Sequence, residues 1–85
     1  MAYSIFLRPA AARDLNTLAS GVRKRIEEAI DRLADEPRPH GSKKLVGFEN
    51  EWRRRVGDYR ILYVIDDSAK RVTIARVAHR REVYR

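Results

Sequence analysis

Apolar positions recur along this chain in two rhythms, and the change from one to the other divides it. Tyr3, Ile5 and Leu7 alternate with Ser4 and Phe6, the two-residue period of a short strand. Pro9 then suits the first turn of a helix, where its missing N–H costs nothing. From there Leu15, Leu18, Val22, Ile26, Ala29, Ile30 and Leu33 return at intervals of three and four, tracing one apolar helical face. Ser20-Gly21 interrupts that face, with Ser20 placed to N-cap a second helix. The pattern predicts helices over 9–18 and 20–35. Pro37, Pro39, Gly41 and Gly47 mark a loop. Strands are predicted over 52–56 and 59–65, separated by the two-residue turn Gly57-Asp58. After a polar turn at 66–70, a last strand covers 71–78, with Val72 and Ile74 on one face and Thr73, Ala75 and Val77 on the other. The order βααβββ predicts an α+β fold: a small antiparallel sheet with both helices packed on one face.

At 85 residues and 9.9 kDa there is room for one domain, spanning 1–85. So short a chain buries only about 60–65% of its unfolded surface. With no cysteine it has neither a disulfide framework nor a thiolate metal site, which makes a partner chain a natural source of added stability. The longest apolar run is residues 61–65, far short of the roughly 20 that cross a bilayer, and no signal peptide precedes it. These features predict a cytoplasmic protein.

Nineteen Lys and Arg against twelve Asp and Glu leave a net charge of +7, unevenly placed. Residues 1–50 carry +2; residues 51–85 carry +5, and nine of their ten basic side chains are arginine. The planar guanidinium matches phosphate oxygens two at a time, so the arginine-rich half points to a polyanion.

The hairpin sharpens this. A two-residue turn at Gly57-Asp58 sets Arg55 opposite Arg60 and Arg53 opposite Leu62. Arg53, Arg55 and Arg60 then share one face, while Trp52, Arg54, Val56, Tyr59, Ile61 and Tyr63 share the other. Like charges directly opposite one another cost up to about 1 kcal/mol, which an anion between them would offset. Protection of an edge strand against aggregation is the plainer reading of Arg53 and Arg55. Arg54, on the apolar side, is expected to snorkel past Trp52. Lys43 and Lys44, in the loop before the hairpin, either guide a phosphate backbone or are simply solvated.

The tail His79-Arg80-Arg81-Glu82-Val83-Tyr84-Arg85 begins at the end of the last strand. It supplies a titratable group, an anion clamp and a second proton donor or stacking surface. Beside an arginine face, that set suggests phosphodiester chemistry. There is no metal-ligand spacing and no glycine-rich phosphate loop. No cofactor is expected.

These residues resemble the RelE family of type II toxin–antitoxin toxins, within the RelE/ParE superfamily. The resemblance runs nearly end to end. It includes Pro9-Ala10-Ala11-Ala12-Arg13-Asp14-Leu15, the stretch Lys44-Leu45-Val46-Gly47, and Trp52-Arg53-Arg54-Arg55-Val56-Gly57-Asp58-Tyr59-Arg60. Leu62-Tyr63, Asp66 and the His79-to-Arg85 tail complete it. It implies an endoribonuclease that cuts mRNA in the ribosomal A site without a metal. The ribose 2′-OH attacks the adjacent phosphate, leaving a cyclic phosphate and a free 5′-OH.

By position, the resemblance makes Arg53, Arg55, Arg60, His79, Arg80 and Tyr84 the catalytic set, with Lys43, Lys44 and Arg81 binding RNA. The best-studied family sites carry lysines on the strand that here bears Arg53 and Arg55. Arginine cannot accept the 2′-OH proton. The arginines are then expected to neutralise the phosphate, and the base role passes to His79 or Tyr84. Arg80 is expected to stabilise the transition state or the leaving oxygen. The resemblance also implies a cognate antitoxin with acidic side chains for the basic face. Its alternatives are a ParE-like gyrase inhibitor, which shares the fold but not the chemistry, and an inactive nucleic-acid-binding member.

Overall fold

The structure is a computed structural model that describes residues 2–45 and 50–79. In chain order the elements are β1 (Ser4–Leu7), α1 (Pro9–Asn16), α2 (Ser20–Arg32), β2 (Lys43–Lys44), β3 (Glu51–Val56), β4 (Tyr59–Asp66) and β5 (Arg71–His79). The predicted order holds with one addition. Lys43 and Lys44, expected in a loop, pair antiparallel with Arg53 and Trp52 as the short strand β2.

The sheet order is β1-β5-β4-β3-β2. It is mixed, not wholly antiparallel as expected, because β1 runs parallel to β5. β1 enters α1 at once, through Arg8, whose N–H donates to the Ile74 carbonyl at 3.0 Å. The chain then passes through two helices to the far edge of the sheet, where β2 starts antiparallel to β1, and the alternation from β2 to β5 leaves β5 running the same way as β1.

Both helices begin where expected and end early. The Thr17 hydroxyl donates to the Asp14 carbonyl at 2.7 Å, closing α1. Beyond Arg32 the bonds tighten to i→i+3, with the Leu33 N–H on the Ile30 carbonyl and the Ala34 N–H on that of Asp31. Ser20 is not the cap but the first residue of α2; Ala19 precedes it with no side-chain cap. Leu15, Ile26, Ile30 and Leu33 bury themselves against Ile61, Tyr63, Ile65, Val72 and Ile74.

Val77 joins this core at 3% exposure, correcting its expected place on the opposite face. The pairing steps from Tyr63↔Ile74 to Leu62↔Arg76, so Ala75 is an extra residue that shifts the alternation by one. β1 ends opposite Ile74, and Asp14 of α1 takes over the strand edge beyond it. Its Oδ2 accepts the Val77 N–H at 2.9 Å, and its two oxygens accept the Arg76 guanidinium at 2.8 and 3.1 Å. Burial works to raise the Asp14 pKa. The Arg76 and Val77 hydrogen bonds and the Arg76 and Arg13 charges outweigh it and hold the carboxyl below its ordinary range.

Gly57 turns the β3–β4 hairpin with φ +58°, while Asp58 stays at negative φ, the pattern of a turn with glycine at its first central position. A Cβ there would make only ordinary contact with Arg25 at 3.8 Å, so the backbone angle alone opposes substitution. Gly57→Ala is expected to cost about 1 kcal/mol, read as a lower urea midpoint at unchanged slope.

Candidate functional site

The hairpin register matches the sequence reading residue for residue: Arg55↔Arg60, Arg54↔Ile61, Arg53↔Leu62 and Trp52↔Tyr63. On the face away from the helices, cross-strand pairing lines up Lys43, Arg53, Leu62 and Arg76 in one row, and Arg55, Arg60 and Ala78 in the next. Directly paired side chains on one face stand about 5 Å apart at Cβ. The result is a cavity of about 380 Å³ lined by Gly41, Lys43, Arg53, Arg54, Arg55 and Arg60. Arg60 forms its floor at 2% exposure, Arg53 is half-buried, and Arg55 and Lys43 are exposed at the rim. Edge protection accounts for arginines on β3 but not for Arg60, because β4 lies between β3 and β5.

Gly41 brings to the pocket's lining the segment from Pro37 to Ser42, which is pinned at three points. The buried Tyr63 hydroxyl donates to the Pro37 carbonyl at 2.8 Å. Burial raises the Tyr63 pKa, against opposing effects of Ser42, Arg54 and Arg38. Arg54 Nη1 donates to the His40 carbonyl at 3.3 Å. Arg54 is thus a pocket residue and not merely a snorkelling side chain; Arg38 instead covers Trp52, 5.2 Å from the ring centre. The same Arg38 forks onto Asp67 at 2.8 and 3.2 Å, and Asp67 also accepts the Tyr3 hydroxyl at 2.6 Å.

Hydrogen bonds from Arg38 and then from Tyr3 lower the Asp67 pKa to about 2, and the bond to Asp67 raises that of Tyr3. A carboxylate whose pKa is lower folded than unfolded stabilises the fold above its ordinary range, and that contribution is lost as pH falls through the folded value. The denaturant midpoint is therefore expected to drop between about pH 5 and pH 2, with Asp14 contributing in the same sense. Asp67→Asn should flatten this decline, measured by equilibrium unfolding across that range.

The other expected site residues divide. Lys44 pairs with Trp52, so strand alternation turns it away from Lys43 and the pocket. His79 pairs with Tyr59, on the helix side of the sheet, and their rings meet edge-on with centroids 5.3 Å apart. The structure therefore does not bring His79 into the arginine pocket. Arg80, Arg81 and Tyr84 lie outside the described residues. Sequence reasoning missed Gly41 and Arg54 as lining and Arg38 as a support. The unbroken run Arg53-Arg54-Arg55 was a signal for Arg54; for Arg38, which acts through contacts with Trp52 and Asp67, there was none.

Fold and site together describe a small α+β protein that packs two helices on one face of a sheet and gathers cations on the other. Comparison with known proteins gives that class a family. Residues 5–84 match the family described as ParE toxin of type II toxin–antitoxin system. Toxin RelG of Mycobacterium tuberculosis is 35% identical over 100% of this chain and 99% of its own length. In the RelBE2 toxin–antitoxin complex of that organism, a chain 33% identical superposes with a TM-score of 0.81, covering 93% of this chain and 99% of that one. The archaeal RelE–RelB complex of Pyrococcus horikoshii gives 0.83 at 28% identity, covering 94% and 97%. The chain belongs to the RelE/ParE superfamily of type II toxins.

Proposed function

We propose that this toxin is a metal-independent endoribonuclease that cuts mRNA in the ribosomal A site and so stops translation. The observation that carries the reading is the cluster of Lys43, Arg53, Arg55 and Arg60 around one pocket, with Arg60 buried in its floor. Like charges held this close favour a bound phosphate, whose non-bridging oxygens the guanidinium forks meet two at a time. The 2′-OH oxygen attacks the adjacent phosphorus as a base removes its proton. The P–O5′ bond breaks, leaving a 2′,3′-cyclic phosphate, and the departing 5′ oxygen takes a proton from solvent water to become a 5′-OH. The arginines hold the charge that grows on the phosphoryl oxygens, and Arg80 stabilises the leaving oxygen. Tyr84 takes the 2′-OH proton, since His79 pairs on the far side of the sheet. Lys44 and Arg81 bind flanking RNA. The cytoplasm is the site of action.

RelE–RelB complexes among the similar structures support a cognate antitoxin for this chain too, one with acidic side chains complementary to a charge of +7. Primer extension on mRNA held in translating ribosomes tests the function, with the toxin freed of its partner. In-frame A-site cuts, lost on changing Arg60 or Arg80 to Ala, are expected. The ParE description of the matching family favours one second reading, inhibition of DNA gyrase. Intact mRNA with a folded toxin that blocks gyrase supercoiling would decide for it.

A further inference from the structure

Three consecutive arginines on one strand put positive charge on both faces of the sheet, and only one face is used above. Arg54 points to the helix side, and β2 covers β3 only at Trp52 and Arg53. From Arg54 onward that edge is not covered by β2. Around it lies a second cavity of about 300 Å³, lined among others by Arg25 and Arg32 of α2 together with Arg54, Arg55, Glu28 and Gly57. The two cavities share Arg54 and Arg55, so they meet at the strand edge. Arg25 and Arg32 are exposed, four arginines face a single carboxylate there, and none of the ion pairs among the described residues uses Arg25, Arg32 or Arg55.

We propose that this second cavity is a phosphate subsite for the same RNA strand, which wraps around the end of β3 from the arginine pocket to α2. The proposal rests on the reading of that pocket as an RNA site. Arg55 and Arg54 hand the backbone across the edge, and Arg25 and Arg32 hold phosphates flanking the scissile one. An RNA strand fits better than an acidic protein segment. Its charge repeats at every residue, and a docking peptide needs apolar anchor pockets, whereas this cavity offers only Ala29 and Val56 among its charged lining. More apolar lining lies in the adjoining groove of Val22, Ile26, Val56 and Tyr59, which shares Val56 with this cavity. The substrate is then recognised over several nucleotides through its backbone, with little dependence on base identity.

Fluorescence anisotropy with 2′-O-methyl RNA, which cannot be cleaved, tests this on the full chain. Two lengths are compared, about three and about eight nucleotides, across about 50 to 200 mM salt. The double substitution Arg25→Ala, Arg32→Ala is expected to weaken the longer RNA about tenfold and leave the shorter unchanged. It should also reduce the slope of log affinity against log salt by about 1.4, two phosphate contacts on a single strand. Both side chains are exposed, so the fold is retained, and Arg25→Lys, Arg32→Lys should restore most of the binding. If the double alanine variant binds both lengths like the parent while Arg60→Ala has lost both, the subsite is wrong and the pocket stands. If Arg60→Ala binds both like the parent, the pocket reading fails and the subsite with it. Equal competition by a polyglutamate peptide of matched charge would assign the cavity to a protein partner and overturn the RNA assignment.

Discussion

Replacing Arg60 with alanine is expected to slow mRNA cleavage by about 10²–10³-fold, the usual effect of removing one preorganised donor from a developing oxyanion. Arg60 is chosen over its neighbours because of where it lies. It sits on β4, between β3 and β5, at 2% exposure, paired across the hairpin with Arg55. A guanidinium fixed in a pocket floor needs little reorganisation as charge builds on phosphate, and burial strengthens its field. Arg55, exposed at the rim, should matter less, and its loss should be felt more at low salt, where its charge is least screened. Arg60→Lys keeps the charge but not the fork, so it should recover only part of the rate. Single-turnover cleavage followed by primer extension measures all three variants, and a thermal melt shows whether each is folded. A folded Arg60→Ala toxin cutting at the parental rate would remove the phosphate role assigned here.

The second large effect is at the proton. Tyr84→Phe should lower cleavage by about 10²–10⁴-fold, the range of a general base, whereas His79→Gln should stay near the parental rate. The contrast follows from register. His79 pairs with Tyr59, which shares a face with Ile61 and Tyr63, while Arg60 is on the other face with Arg53 and Arg55. Strand alternation thus separates the imidazole from the pocket by the thickness of the sheet. With a phenolate as the base, the parental rate should climb with pH and the Phe variant should lose that dependence. The reverse pattern, with His79→Gln inactive and Tyr84→Phe active, would return the base to histidine. Full activity in both variants would eliminate base catalysis by either.

Much of the site was legible in the chain itself, for a local reason. A two-residue turn at Gly57-Asp58 determines the pairing of the strands on either side, so Arg55 opposite Arg60 follows from spacing alone. Likewise, the three- and four-residue recurrence from Leu15 to Leu33 determined which helix faces are buried, because each side chain's direction depends only on its own turn. Tertiary structure decided the rest. Which strand lies beside β1 depends on how two helices cross the sheet, so its parallel pairing with β5 was not readable from alternation. Lys43 and Lys44 became a strand only because β3 offered an edge to pair with. The extra residue at Ala75 reversed the faces beyond it, burying Val77 and carrying His79 to the helix side. The segment that carries Gly41 to the pocket is held by Arg38 on Asp67 and Tyr63 on Pro37, residues 29 and 26 positions apart. Contacts within a turn or a helix are dictated by neighbours along the chain. Those that close the pocket form only after distant segments are brought together, and no local pattern encodes them.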